Sequence, residues 1–159
     1  PKDSMKGSYL GPMYEQDSIE KELLDCGAKF DSVTEDEMIE QTSHALADTK
    51  AVGWFQGRME FGPRSLGNRS ILGNPSSEKM QKTLNLKVKY RESFRPFAPS
   101  VLREDLTKWF ELDHDNPYML FVDNVRKDKC IKMSKKEEAS SFLLIFMHLS
   151  FLTLSTKSM

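Results

Sequence analysis

The sequence predicts an α/β protein, or an α+β protein with a mixed sheet. Three observations carry this: apolar residues at helical spacing over 35–48, a short β-branched and aromatic run AVGWF at 51–55 close behind them, and a second extended apolar run, PYMLFVDNV, at 117–125. Helical segments alternating with buried extended ones are what two layers of sheet and helix require. The 159 residues, 38% hydrophobic and 30% charged, are enough for one domain with a sizeable core. Collagenous, coiled-coil and wholly disordered chains are excluded by the same composition.

Residues 1–16 carry Gly7, Gly11 and Pro12 but no apolar period, and read as a linker. The segment has no signal-peptide core and no initiating Met, as a fragment or processed chain would show. Asp17 can cap a helix over 18–26 whose apolar side uses Ile19, Leu23 and Leu24 and which stops at Gly27. Residues 28–33 suit a short strand. Thr34 and Glu37 then match a capping box, opening a helix over 35–48 with Met38, Ile39, Thr42, Ala45 and Leu46 on one side.

AVGWF reads as a buried strand that delivers the chain to Gly57. From Gly57 to Gly73, Gly62, Pro63 and Gly67 interrupt any regular element while Arg58, Arg64 and Arg69 project from it, which reads as a binding loop. Ser76 or Ser77 can cap a helix to about Leu86 with Met80 and Leu84 buried. The two prolines of FRPFAPSVL, 94–102, make its first half extended. A further helix starts at Arg103-Glu104-Asp105 and runs through Phe110. PYMLFVDNV is the clearest remaining strand.

After Asp128 a polar stretch leads into SFLLIFMHLSFLTLS, an apolar run shorter than the roughly 20 residues that span a bilayer. It reads either as a core element or as a divergent tail, 130–159, foreign to a domain at 17–129. The two cysteines, Cys26 and Cys130, have no CxxC or Cys/His spacing, which argues against a zinc site or disulfide framework and for a reducing, cytoplasmic setting.

Charge locates the function. Between Arg58 and Arg103 the chain carries +7, whereas the whole has net charge −1. A basic centre between acidic flanks suits an anionic ligand. Arginine donates two parallel hydrogen bonds to a phosphate and stays charged, and the glycines would let backbone N–H groups approach the same oxygens as a nest. The bland reading is a solvated basic loop that pairs with the acidic flanks.

GPRSLGNRS is neither a Walker A loop nor GxGxxG. No GxSxG elbow is present, and His44, His114 and His148 lie outside the basic centre, so a Ser-His-Asp hydrolase is poorly supported. The serious rival is nucleic acid, because Trp54, Phe55, Phe61, Tyr90, Phe94 and Phe97 lie among the cations and could stack bases.

GRMEFGPRSLGNRSILGNP, LNLKVKYRESFRPFAPSVL and the later PYML resemble the C-terminal domain of the carbamoyltransferase family that includes nodulation-type and antibiotic O-carbamoyltransferases. The resemblance covers about residues 8 to 127. It implies a YrdC-like fold, a twisted mixed sheet with flanking helices around a basic cavity, incomplete here at the C-terminus. It also implies binding of ATP, with Mg²⁺, and carbamoyl phosphate to make carbamoyl-adenylate. A separate N-terminal, metal-bearing Kae1-like domain, with no counterpart in this chain, would pass the carbamoyl group to an acceptor.

By the same resemblance Arg58, Arg64, Arg69, Ser70, Lys87 and Ser100 are binding candidates, and Lys89, Arg91 and Arg95 catalytic ones. No metal ligand is expected in this chain and no membrane partner. The alternative is a YrdC-like RNA- or anion-binding module without chemistry.

Overall fold

A computed structural model of the chain describes residues 3–130 and, as backbone, Leu152–Leu154. Its helices and strands are consistent with the expected α/β class, but the described strands form two separate two-stranded sheets, one antiparallel and one parallel, rather than one mixed sheet. The chain divides into two compact units, Pro1–Asn74 and Pro75–Met159.

In the first unit, helix α1 spans Gln16–Asp25. It begins two residues before the expected start, with Glu15 as N-cap and Asp17 in the first turn, where its charge favours the positive end of the helix dipole. Its end is a Schellman motif: the amide of Ala28 reaches Leu23 O at 2.9 Å and that of Gly27 reaches Leu24 O at 3.0 Å. Residues 28–33 form no strand, and Phe30 and Val33 are exposed, with no neighbouring strand among the described residues for them to pair with.

Helix α2 spans Glu35–Ala47, with the capping box formed: the Glu37 amide donates to Thr34 Oγ1 at 3.3 Å, and the Thr34 amide to Glu37 Oε2 at 2.9 Å. It too ends in a Schellman pattern, Lys50 N to Ala45 O and Thr49 N to Leu46 O, both 2.9 Å. The left-handed residue here is Thr49, with φ 59°.

Strand β1, Val52–Phe55, lies where AVGWF predicts it, but it is only half-covered. Its partner is antiparallel: β2, Arg69–Leu72, with Trp54 opposite Ser70 and Phe55 opposite Arg69. The basic run expected to be wholly irregular therefore ends in a strand. Residues 69–72 pair with β1 along one edge, and 56–68 remain as the loop between the two strands.

In the second unit, helix α3, Met80–Thr83, continues into a π-helical turn at Leu84–Val88, closed by Lys89 N to Leu84 O at 2.9 Å. Met80 and Leu84 are buried, as their spacing predicts. Strand β3, Ser100–Leu102, pairs in parallel with β4, Leu152–Leu154. The predicted helix after it is a 3₁₀ turn, Arg103–Asp105, followed by α4, Leu106–Trp109. Leu106, Phe110 and Leu112 form the core cluster, flanked by Val101 and Val125.

Residues 117–125 are not a strand. Asn116, 1% exposed, accepts from the amides of Leu120 (3.0 Å) and Phe121 (3.3 Å) and donates to Phe121 O (2.9 Å), curling the chain into a loop that leaves Leu120, Phe121 and Val122 exposed. Only isolated bridge residues remain of the extended run, at Val122 and at Val125, the latter antiparallel to Phe110. The apolar run 142–151 lies outside the described residues. No described helix is long and apolar enough to cross a membrane.

A β-branched residue held at positive φ is strained by roughly 1–2 kcal/mol. Thr49→Gly should therefore raise stability, by about 0.5–1 kcal/mol once the unfolded chain's added freedom is subtracted. Ser43→Gly, at an exposed position inside α2, should lower it by about 0.5 kcal/mol. Thermal melts of the two variants should move in opposite directions.

Candidate functional site

The first basic run is folded around its one acid. Glu60 is 4% exposed, and its Oε1 accepts from the backbone amides of Leu66 (2.8 Å), Asn68 (3.0 Å) and Arg69 (3.2 Å). Gly67, between the first two donors, has φ 118°, a conformation open to glycine, and this lets both amides converge on one oxygen. The nest expected for a phosphate thus exists, but the chain's own carboxylate fills it.

Burial by itself would push the Glu60 carboxyl up; the amides of Leu66, Glu60 itself, Asn68 and Arg69 outweigh it and hold the group below the usual carboxylate range. Oε2 lies 3.9 Å from Arg69 Nε and has no hydrogen-bond partner among the described residues. The sequence offers one signal for this role: Glu60 is the only acid between Gly57 and Gly73.

Residues 8–12, part of the segment read as a linker, hold the same run from outside. Phe61 N donates to Ser8 O at 2.7 Å, Gly11 N to Met59 O at 2.9 Å and Met59 N to Pro12 O at 3.0 Å. The approach is so close that a Cβ on Gly11 would sit 2.9 Å from Met59 O. The Tyr9 hydroxyl donates to Leu66 O at 2.7 Å, and burial, with Glu60 nearby, raises its pKa.

Of the candidates in this unit, Arg58 donates from Nη1 to Gly11 O at 2.7 Å, and Arg64 is exposed on the loop. Arg69 and Ser70 are consecutive on β2, so their side chains leave opposite faces of the hairpin.

The second run is organised by an uncharged group. Asn85, 0% exposed, sits in the π-helical turn; its Nδ2 donates to Ser93 O (3.1 Å) and Arg95 O (2.8 Å), and its Oδ1 accepts from Arg91 Nε (2.7 Å). Gln81 Nε2 adds bonds to Phe94 O and Arg95 O at 3.2 and 3.1 Å. The Arg91 guanidinium carbon stands 4.8 Å over the Phe97 ring, within cation–π range.

Lys87 and Lys89 are exposed on the turn, and Arg95 pairs with Glu92 at 2.9 Å; the backbone amide of Glu92 and then the Arg95 charge hold that carboxyl below the usual range. Tyr90, between Lys89 and Arg91, is 86% exposed with φ 50°, an outlier of the kind that collects at ligand sites. Ser100 is exposed on β3. The four candidates of the first run and the five of the second thus belong to different units. Among the described residues no group of three His, Cys, Asp or Glu is placed to hold a metal ion, and both cysteines are free and exposed. A depression of about 410 Å³ runs along α1 past Lys21, Glu22 and Cys26 and includes no candidate residue.

The family model for the carbamoyltransferase C-terminus matches residues 43–142, which takes in all nine candidates and continues past Lys129. The chain is 49% identical over 138 residues to an uncharacterized protein of Synechocystis sp., covering 86% of this chain and 22% of that protein. It is 41% identical over 133 residues to the nodulation protein NolNO of Sinorhizobium fredii, 81% of this chain and 20% of the relative. It is 46% identical over 90 residues to the 3'-hydroxymethylcephem-O-carbamoyltransferase of Streptomyces clavuligerus, 57% and 18%. The chain spans about a fifth of the length of these relatives.

Because the folded pKa of Glu60 lies below its unfolded value near 4.3, its contribution is present above that pH and is lost as pH falls through the folded pKa. Glu60→Gln should cost about 1.5–3 kcal/mol at neutral pH, the loss of charge-assisted bonds, and the gap to the parent should narrow below about pH 4. Denaturant melts between pH 3 and 8 measure this. A gap of constant size at every pH would mean that the charge is irrelevant.

Proposed function

Since the chain belongs to the carbamoyltransferase C-terminus family, we propose that it is the part of a carbamoyltransferase that binds ATP and carbamoyl phosphate and forms carbamoyl-adenylate. The observation that carries this reading is the position of both cationic runs inside the family match, with one arginine of each run, Arg69 and Arg91, held beside a buried polar side chain. A separate Kae1-like domain of a longer protein would transfer the carbamoyl group to its acceptor.

Atom balance defines what the site must do. A carbamate oxygen has to displace pyrophosphate at the α-phosphorus of ATP, and that carbamate arises when carbamoyl phosphate gives up its phosphoryl group to water. Negative charge moves from the carbamate to the departing pyrophosphate, so fixed cations stabilise the change without a general base. Lys89, Arg91 and Arg95 are assigned to the reacting groups, and Arg58, Arg64, Arg69, Ser70, Lys87 and Ser100 to binding.

Mg²⁺ would accompany ATP. The described residues offer it no carboxylate cluster, so they do not fit a protein-held ion, and no step is derived through one. Free cysteines suit a reducing, cytoplasmic setting. Phe61, 72% exposed, and Tyr90 favour the second reading, a module that stacks nucleic-acid bases between cations.

Pyrophosphate release from ATP that depends on carbamoyl phosphate separates the two, and a chain that binds RNA but never releases pyrophosphate would overturn the first. In a binding titration by calorimetry, Arg64→Ala and Arg95→Ala should each weaken ATP or carbamoyl-phosphate affinity by about 1.5–3 kcal/mol. Arg→Lys should restore little where the contact is bidentate. Parental affinity in both alanine variants would reject the site.

A further inference from the structure

We propose that Asn85 is a positioning residue that aims the Arg91 guanidinium at a phosphoryl group. The inference rests on the anion-binding reading above and adds to it a residue that charge alone does not reveal.

A free arginine can present any of its five donors. Arg91 cannot, because its Nε is bonded to Asn85 Oδ1 at 2.7 Å and one face is covered by the Phe97 ring at 4.8 Å. Its backbone is fixed by the same residue, since Arg91 N donates to Asn85 O at 3.0 Å. With one edge and one face engaged, the terminal edge, Nη1 and Nη2, is the part that makes no hydrogen bond to a described residue. Two parallel N–H groups on that edge match two oxygens of one phosphoryl group.

Asn85 can hold this orientation because it is itself immobile. It is fully buried, both Nδ2 hydrogens are used on Ser93 O and Arg95 O, and no alternative rotamer would satisfy all three bonds. The neighbouring outlier, Tyr90 at φ 50°, is the bend that turns the chain back so that Arg91 meets Asn85.

The test is a double-mutant cycle on the whole 159-residue chain, with inorganic pyrophosphate as the probe and calorimetric affinity as the readout. Arg91→Lys keeps the charge but loses the fork, and should weaken binding about 10- to 100-fold; Asn85→Ala should weaken it about 10-fold. If Asn85 acts through Arg91, the double variant should match Arg91→Lys within about twofold. Additive losses would overturn the positioning role while leaving the anion site intact. Failure of the parent chain to bind pyrophosphate would overturn both.

A second measurement needs no substitution at a buried position. In ¹H–¹⁵N spectra of the parent chain, the Arg91 Nε–H should exchange with water more slowly than that of free arginine in the same buffer, and its Nη signals should shift on adding pyrophosphate. An Arg91 Nε–H as labile as that of free arginine, or Nη signals indifferent to the probe, would refute the proposal even if Asn85→Ala does not fold.

Discussion

A carboxylate taken out of water must find donors, and Glu60 finds them in the backbone of the loop that follows it. Everything about the first basic run depends on that demand. The amides of Leu66, Asn68 and Arg69 turn inward, Leu66 is buried with them, and the chain then enters β2 in register with β1. Segment 8–12 closes the outside of the same loop through backbone bonds to Met59 and Phe61, and the Tyr9 hydroxyl ties it to Leu66. With its interior occupied by one negative group, the loop keeps Arg69 beside that carboxylate, ties Arg58 to Gly11 O and leaves Arg64 exposed.

The second run solves the same problem with a neutral side chain. There the groups gathered are carbonyls, those of Ser93, Phe94 and Arg95, and the collectors are the amides of Asn85 and Gln81. An amide suits this place because it donates and accepts at once, collecting carbonyls on one side and an arginine on the other. In both runs, then, irregular backbone is specified by a single buried polar residue rather than by a hydrophobic core. Among the described residues the buried apolar cluster is correspondingly small, Leu106, Phe110 and Leu112 in the second unit.

Much of this is legible in the sequence where the signal is local. Thr34 and Glu37 announce α2, Gly27 ends α1, Met80 and Leu84 find the buried side of α3, and AVGWF is a strand. Signals fail where a distant partner decides. PYMLFVDNV has the composition of a strand but yields to the side chain of Asn116, and Arg69–Leu72 looks irregular until β1 stands beside it. In the site, net charge identifies the two runs, yet it counts Glu60 as one negative among many and does not see Asn85 at all. Composition reports how many charges there are; burial determines which of them organise the others.

The π-helical turn at Leu84–Val88 makes the length of the second run as important as its residue types. Such a turn holds one residue more than an α-helical path of the same height, so it works as a phase shifter. Removing one residue from 86–88 would let the turn close as an ordinary α-helical one, and Arg91 would then stand five rather than six residues after Asn85. The bonds from Arg91 N and Nε back to Asn85 are made at the six-residue separation and would have to re-form at a different one. Across related sequences this segment is therefore expected to accept exchanges of side chain far more readily than gaps.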